Sequence, residues 1–295
     1  MNNENYLASS PSGIFDHRGI KRKYLDVPYA SISEAQKLDI YLPEKGDGPF
    51  PVIIHIHGGA FMKCDKADNQ VRPWILGLEY GFAVVSVNYR LSGEAVFPAA
   101  IMDLKAAIRF LRATAAKYLL NPGRFAAVGG SAGGNYTCML CTTSRRPELE
   151  DLSLGNGEYS SDVQCGVAWY PPTDFLLMDA HLHESGLGPE DHNTADSPES
   201  RYMGGQITQM ESHYVQQANP MTYIHSEMPP MLIQHGRMDH IVPWQQSKIF
   251  VEKICALCGE AQVEFEILET ADHADKQFES EKNMERIFSF LEKHL

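Results

Sequence analysis

Residues 124–143 read RFAAVGGSAGGNYTCMLCTT. The segment opens with a strand-like apolar run, turns through small residues and continues with a helical pattern. Ser131 lies at the centre of a G-x-S-x-G motif in that turn. Small neighbours let a serine hydroxyl project from a sharp strand-to-helix turn, and the helix N-terminus favours developing negative charge. The context predicts that Ser131 is a nucleophile, against the alternative of a glycine-rich turn with an incidental serine.

The same alternation of short apolar runs and helical stretches extends over most of the chain. It predicts a mostly parallel central sheet with helices on both faces. Continuously apolar runs such as FAVVSV indicate strands covered on both sides, and the first two or three strands are expected to form an antiparallel edge. The predicted strands are 22–29, 38–42, 51–57, 83–89, 124–129, 164–170, 231–235 and 263–268. The predicted helices are 69–80, 99–117, 133–144, 243–257 and 276–294.

One region interrupts this rhythm. Between about residues 145 and 225 only one strand is evident, and the remainder is rich in Gly, Pro, Ser, Met and His. Such a long irregular stretch inside a compact domain is usually functional or an insertion. We therefore predict an N-terminal extension over residues 1–20 and one domain over 21–295, with a small lid insertion at about 175–224.

A second glycine-containing segment follows the third predicted strand and reads HGGAF at residues 57–61. Attack by a serine on an acyl group creates a tetrahedral oxyanion, which preorganised backbone N–H donors stabilise by several kcal/mol. Glycines let the backbone approach that oxygen closely. We expect the N–H groups of Gly58, Gly59 and Ala132 to form the oxyanion hole. His57 is interpreted as a buried loop organiser and not as a catalytic group.

Twelve histidines compete for the role of general base. When the nucleophile lies in a strand-turn-helix motif of this kind, the chain order is serine, acid, histidine. His273 follows the last predicted strand and precedes the last helix, so it fits that order directly. The other candidates are less suitable: His294 lies in the terminal helix, His240 adjoins the candidate acid, and His181, His183, His192 and His213 precede that acid.

The candidate acid is Asp239. Residues 231–239 read MLIQHGRMD, a strand followed by a glycine turn, which places Asp239 at the carboxyl end of the sheet. Asp272 is a rival, but its adjacency to His273 points the two side chains apart. Asp174 is a weaker rival, better suited to a local turn or the rim of a pocket.

Six aromatic residues are candidates for the wall of a substrate pocket: Phe61, Tyr136, Trp169, Tyr170, Tyr202 and Trp244. Aromatic side chains near a sheet more often belong to the core, so that interpretation stays open for each of them.

The formal charge of −13 disfavours nucleic acid or an anionic membrane as a partner. The first 13 residues lack the basic start and apolar core of a secretory signal, and no stretch reaches about 18 apolar residues. We therefore expect a cytoplasmic protein. The pairs Cys138/Cys141 and Cys255/Cys258 superficially match a zinc site, but both lie in helical patterns, so small buried residues in a reducing compartment are the better interpretation.

Seven segments together resemble the α/β-hydrolase esterases, and more narrowly their hormone-sensitive-lipase and bacterial feruloyl-esterase-like branches. They are LDIYLP (38–43), HIHGGAF (55–61), VNYRLSGEAVFPA (87–99), GGSAGG (129–134), SPESRYMGG (197–205), ANPMTYI (218–224) and HGRMDHIVP (235–243). The resemblance runs from about Tyr24 to the C-terminus. Two departures are a missing third glycine after His57 and an Ala-Asp-His-Ala turn at His273 that lacks the family's frequent glycines.

The resemblance implies an α/β-hydrolase fold and hydrolysis of small or short-chain acyl esters, including acetylated sugars and hydroxycinnamoyl esters. No metal or organic cofactor is required, and the expected partner is a small-molecule ester. An amide hydrolase with the same triad is the first alternative, as a peptidase or an arylformamidase. A non-catalytic ligand-binding homologue is the second. The sequence does not fix the substrate or the oligomeric state.

Overall fold

The computed structural model describes residues 13–144 and 146–295. Its centre is one eight-stranded sheet. The strands are β1 (Lys23–Pro28), β2 (Lys37–Tyr41), β3 (Phe50–Ile56), β4 (Ala83–Val87), β5 (Leu120–Gly130), β6 (Cys165–Trp169), β7 (Met231–Gly236) and β8 (Val263–Leu268). Residues 1–12 of the predicted N-terminal extension lie outside the described residues.

The strand order is β1-β2-β4-β3-β5-β6-β7-β8. β1 pairs antiparallel with β2, and β2 pairs antiparallel with β4, whereas the remaining neighbours are parallel. The predicted fold class and its antiparallel edge are therefore confirmed. Parallel order brings the carboxyl ends of β3, β5, β6, β7 and β8 to one edge of the sheet, where ligands bind in open α/β sheets.

Eight α-helices are present among the described residues: α1 (Arg72–Ile75), α2 (Ala99–Ala113), α3 (Ala132–Thr142), α4 (Met178–Ser185), α5 (Pro198–Met203), α6 (Ser212–Gln216), α7 (Gln245–Cys258) and α8 (Glu281–His294). The prediction of one helix over 69–80 is wrong. That stretch consists of α1 between two 3₁₀ turns. The predicted start of the last helix at Lys276 is also too early, because a 3₁₀ turn at Lys276–Glu279 precedes α8.

Residues 175–224 form α4, α5, α6 and short 3₁₀ turns. They pack on the central domain through buried apolar side chains, among them Phe175, Tyr202 and Ile207. Ser197 caps α5 by accepting a hydrogen bond from the Ser200 N–H. The segment is therefore anchored in the main hydrophobic core of the sheet.

Candidate active site

Three predicted residues from distant parts of the chain meet at the carboxyl edge of the sheet. Ser131 follows β5, Asp239 follows β7, and His273 follows β8. The Ser131 Oγ lies 3.1 Å from the His273 Nε2, and the His273 Nδ1 lies 2.8 Å from the Asp239 Oδ2. These distances allow a proton to pass from serine to histidine while the carboxylate orients the imidazole.

Ser131 has a strained backbone, with φ 58° and ψ −124°. Two hydrogen bonds hold it: its N–H donates to the Trp169 carbonyl at 3.0 Å, and its carbonyl accepts from the Asn135 N–H at 2.9 Å. The neighbouring turn has no room for side chains, since a Cβ on Gly133 would lie 2.1 Å from the Ile56 carbonyl oxygen. The small residues of the motif are therefore required by close approach of β3, and the turn presents the serine hydroxyl at the sheet edge.

The carboxylate of Asp239 is fully buried and accepts hydrogen bonds on both oxygens. Its Oδ1 accepts from the N–H groups of Ile241 and Val242, at 2.9 and 2.8 Å. Burial raises the pKa of Asp239, but the imidazoles of His273 and His235 outweigh that effect and hold the pKa well below its usual range. Asp239 is therefore an anion that can only accept, so the Nδ1 of His273 carries hydrogen and its Nε2 is free to accept the serine proton.

The rival acids have other partners. Asp272 contacts the His240 Nδ1 at 2.6 Å and accepts from the backbone N–H of His273, not from its ring. Asp174 accepts from the Leu176 N–H at 3.2 Å, in a local turn. The structure thus brings Asp239, and neither rival, to the imidazole of His273.

His57 lies beneath the glycine loop. Its Nδ1 is 2.8 Å from the Gly58 carbonyl oxygen, and its ring stacks on Tyr89 with centroids 4.5 Å apart. The Tyr89 hydroxyl donates to the His57 carbonyl at 2.8 Å. These contacts fit the loop-organising role expected for His57 and place no reacting group near its ring.

The predicted oxyanion donor Gly58 needs correction. Its N–H donates to the Gln70 Oε1 at 2.8 Å, so this amide is already occupied. The N–H groups of Gly59, Ala60 and Ala132 have no acceptor among the described residues. Gly59 and Ala60 have φ values of 110° and 56°, which turn successive amides along the loop. The glycine motif does not indicate Ala60, because a backbone N–H donor is available from any residue type.

A cleft of about 630 Å³ opens beside Ser131 and His273. Two of the six predicted pocket aromatics, Trp169 and Tyr170, line it, together with Trp74 and Phe278, which the sequence had not indicated. No residue between 175 and 224 lines the cleft.

The other four predicted pocket aromatics lie elsewhere. Phe61, Tyr136 and Tyr202 are buried and pack on one another, with the rings of Phe61 and Tyr202 stacked at 4.4 Å. Trp244 packs under the guanidinium of Arg237, 4.0 Å from its ring centroid. The positive φ values of Ala60 and Phe61, 56° and 62°, turn the chain after residue 59, and Phe61 packs in the core.

Charged side chains add polarity to the cleft wall: Lys63, Asp68, Asp275 and Glu279. Burial raises the pKa of Glu279, although the charges of Arg72 and Lys276 oppose the shift. Cys64 also lines the cleft, and burial raises the pKa of its thiol, which makes the thiolate form less accessible.

No group of three or more His, Cys, Asp or Glu side chains within residues 13–144 and 146–295 is arranged to hold a metal ion. Cys138 and Cys141 are buried in α3, while Cys255 and Cys258 belong to α7. In the same part of the chain, no helix combines the length and apolar character needed to cross a membrane.

The fold and the arrangement of Ser131, His273 and Asp239 define an α/β-hydrolase of the esterase group. The profile of the BD-FAE family matches residues 38–254. The chain belongs to this family, and the predicted relationship to the α/β-hydrolase esterases is confirmed.

Individual relatives are consistent with that membership. The chain is 31% identical over 232 residues to "Probable carboxylic ester hydrolase LipM" of Mycobacterium tuberculosis, covering 78% of this chain and 51% of the relative. It covers 58% of "Esterase LipQ" of the same organism. The chain therefore spans about half the length of these curated relatives.

Two solved structures share the fold closely. A bifunctional GH43-CE protein of Bacteroides eggerthii has 32% identity and a TM-score of 0.81, covering 93% of this chain and 38% of that protein. A truncated carbohydrate esterase from gut microbiota has 28% identity and a TM-score of 0.81, covering 96% of this chain and 99% of that one.

Proposed function

We propose that this protein is a serine carboxylic-ester hydrolase that acts through an acyl-enzyme on small or short-chain acyl esters. The observation that carries the proposal is the hydrogen-bonded series from Ser131 Oγ through His273 to Asp239, with contacts of 3.1 and 2.8 Å. The esterase names of the relatives support the same reaction class.

In the proposed reaction, His273 Nε2 takes the hydroxyl proton as the Ser131 Oγ attacks the ester carbonyl carbon. Asp239 stabilises the resulting imidazolium and keeps the ring in its productive orientation. The N–H groups of Gly59, Ala60 and Ala132 donate to the oxyanion. The imidazolium then protonates the departing alcohol, leaving an acyl group on Ser131. Water, deprotonated by His273, attacks this acyl group and releases the acid.

Residues 21–295 form the hydrolase domain in this proposal, with 175–224 as its insertion. The substrates we favour are acetylated or feruloylated plant-derived compounds. Trp169 and Tyr170, the more exposed of the four aromatic residues that line the cleft, support this choice, because their accessible atoms can contact sugar or hydroxycinnamoyl rings. The carbohydrate esterase among the structural relatives supports it as well.

The test measures hydrolysis of p-nitrophenyl esters from acetate to dodecanoate, methyl ferulate and an acetylated xylose. We expect a short-chain optimum and at least a ~1000-fold loss of activity in Ser131→Ala, because the nucleophile is removed. Ser289→Ala, on the exposed part of α8, is the matched control and should keep wild-type activity. A folded wild-type protein that hydrolyses no ester, or a fully active Ser131→Ala, would overturn the proposal and favour amide hydrolysis or ligand binding.

A further inference from the structure

Tyr170, directly after β6, combines backbone strain with a position beside the nucleophile. Its φ is 37°, an unfavourable value for an aromatic residue. Two hydrogen bonds enforce the conformation: the Tyr170 N–H donates to the Gln234 carbonyl at 2.8 Å, and the preceding Trp169 carbonyl accepts from the Ser131 N–H. The strained residue is therefore tied directly to the turn that carries the nucleophile.

The strain directs the phenol of Tyr170 over that turn. A Cβ built on Gly130 would lie 2.7 Å from the Tyr170 hydroxyl oxygen, so the phenol occupies the space above the residue before Ser131. The ring also packs on the imidazole of His273, with centroids 4.6 Å apart. The hydroxyl has no hydrogen-bond partner within residues 13–144 and 146–295, although the side chain lines the cleft. A polar group in this position is available to a substrate.

Glu279 provides a second unpaired group on the same wall. Its carboxylate lines the cleft, is partly buried, and makes no hydrogen bond or ion pair with any described residue. It is adjacent to Phe278, whose ring meets that of Tyr170 edge to face at 4.7 Å. Arg72 and Lys276 place positive charge near this carboxylate, and a ligand can supply hydrogen-bond donors to its oxygens.

The position of His273 tells which part of an ester reaches this wall. In acyl transfer, the imidazolium must protonate the leaving oxygen, so the alcohol portion lies on the side of the His273 ring. Tyr170 packs on that ring, whereas Gly59 and Ala60 provide the oxyanion donors from the loop after β3. Tyr170 and Glu279 consequently lie where the alcohol portion, and not the acyl chain, would bind.

We propose that the Tyr170 hydroxyl and the Glu279 carboxylate form a subsite for the alcohol portion of the substrate and select esters of polyhydroxylated alcohols. This inference rests on the proposed ester hydrolysis. The carboxylate accepts a hydrogen bond from a hydroxyl near the scissile ester, and the phenol donates to or accepts from a neighbouring oxygen.

The experiment compares two acetate esters that share one acyl-enzyme: acetylated xylose, with free hydroxyls next to the ester, and butyl acetate, with none. Their deacylation step is identical, so differences in kcat/KM report on acylation and the alcohol subsite. We expect Tyr170→Phe and Glu279→Gln each to lower kcat/KM for acetylated xylose about tenfold, as loss of one hydrogen bond would. For butyl acetate, both variants should remain within about twofold of wild type.

Two control variants separate recognition from packing. Tyr202→Phe removes a phenolic hydroxyl in the aromatic core outside the cleft, and Glu281→Gln removes a carboxylate at the start of α8. Both should leave the ratio of the two kcat/KM values unchanged. An equal loss on both esters in Tyr170→Phe, or no loss on either in both cleft variants, overturns the subsite. Failure of the ester-hydrolase proposal is distinct, because wild type would then hydrolyse neither ester.

Discussion

Asp239 illustrates how single atoms determine the site. Three N–H groups, from Ile241, Val242 and the His273 ring, donate to its two oxygens, and His235 approaches within 3.4 Å. Asp239→Asn would replace an acceptor by a donor facing His273, which favours the wrong tautomer. We expect kcat/KM for p-nitrophenyl acetate to fall by roughly 10⁴, the loss seen for this exchange in a serine-histidine-aspartate triad.

The matched control for this exchange is Asp272→Asn. Asp272 is the residue before His273, but its side chain contacts His240 and a backbone N–H. We expect its kcat/KM to stay within about tenfold of wild type, because no hydrogen bond to the His273 ring is lost. A loss in Asp272→Asn as large as that in Asp239→Asn would show that the acid is assigned incorrectly.

At the residue scale, site residues that belong to a sequence motif or to a fixed chain order were predictable from the sequence. Site residues that belong to no motif were not. Ser131 and Gly59 stand in recognisable patterns, and chain order alone pointed to His273. Gln70 and Glu279 have no such pattern, since each reaches the site only through the fold. Ala60 carries no sequence signal for its proposed role, because a backbone amide donor is independent of the side chain.

The contact between α3 and β3 gives a prediction at the scale of elements. Gly133→Ala would place a methyl group 2.1 Å from the Ile56 carbonyl oxygen and 2.9 Å from that of His57, and these are backbone atoms that cannot move aside as a side chain would. We expect the free energy of unfolding to fall by about 1–3 kcal/mol or more, with activity lost as the turn shifts. Urea denaturation and ester hydrolysis measure the two effects.

Gly93→Ala is the control for the turn. Gly93 has no atom within 4 Å of an added Cβ, so the change should leave both unfolding and hydrolysis close to wild type. If Gly133→Ala proves as stable and active as Gly93→Ala, the turn is less tightly packed against β3 than the distances indicate.

At the scale of elements, strands were more predictable than helices. β4 (AVVSV) and β7 (MLIQHG) are buried along their whole length, and the apolar residues with which each begins are enough to identify them as strands. The apolar residues around α1 have helical spacing and therefore predict one continuous helix. In the structure, Pro73 lies in the first turn of the short α1, and Gly77, in the 3₁₀ turn that follows, packs closely against Ile53. Local breaks of this kind are set by tertiary packing, which the pattern does not contain.

At the scale of the whole molecule, His192 connects the insertion to the loop that holds the acid. Its Nε2 lies 3.0 Å from the Ile241 carbonyl oxygen and its Nδ1 lies 3.0 Å from the Glu199 carboxylate. The Nε2 contact is a hydrogen bond, whereas the Nδ1 contact is a close ion pair whose atoms are not aligned for a hydrogen bond, and this ion pair is attractive when the imidazole is protonated. Burial alone would lower the pKa of His192, but the Glu199 carboxylate and the Ile241 carbonyl raise it above its ordinary value.

A raised pKa in the folded state means that this contact stabilises the protein fully below the unfolded pKa of about 6.5. The stabilisation is lost as the pH rises through the higher folded value. We expect the Tm of wild type, relative to that of His192→Gln, to decline as the pH rises above about 6.5. Thermal unfolding across this range measures the difference. His213→Gln, on the surface of α6, is the control, and an equal decline in both variants and wild type would contradict the prediction.

The global arrangement was only partly accessible from sequence. Alternating elements indicated a covered parallel sheet, but they did not give the crossover that places β4 between β2 and β3. The pocket aromatics show the same limit. Six aromatic residues were candidates for the pocket wall, but the turn after Gly59 places Phe61 against Tyr202 in the core. Whether an aromatic ring faces the core or the cleft depends on contacts with residues that are distant in the sequence.

The stack of Phe61 on Tyr202 has one more consequence. It joins the segment that follows the oxyanion loop to α5 of the insertion, and both rings are buried. Swinging the insertion outward would expose this aromatic interior to water, at a cost comparable to partial unfolding. The stack therefore ties α5, within residues 175–224, to the segment that follows Gly59 and Ala60, and moving α5 alone away from that segment is unfavourable.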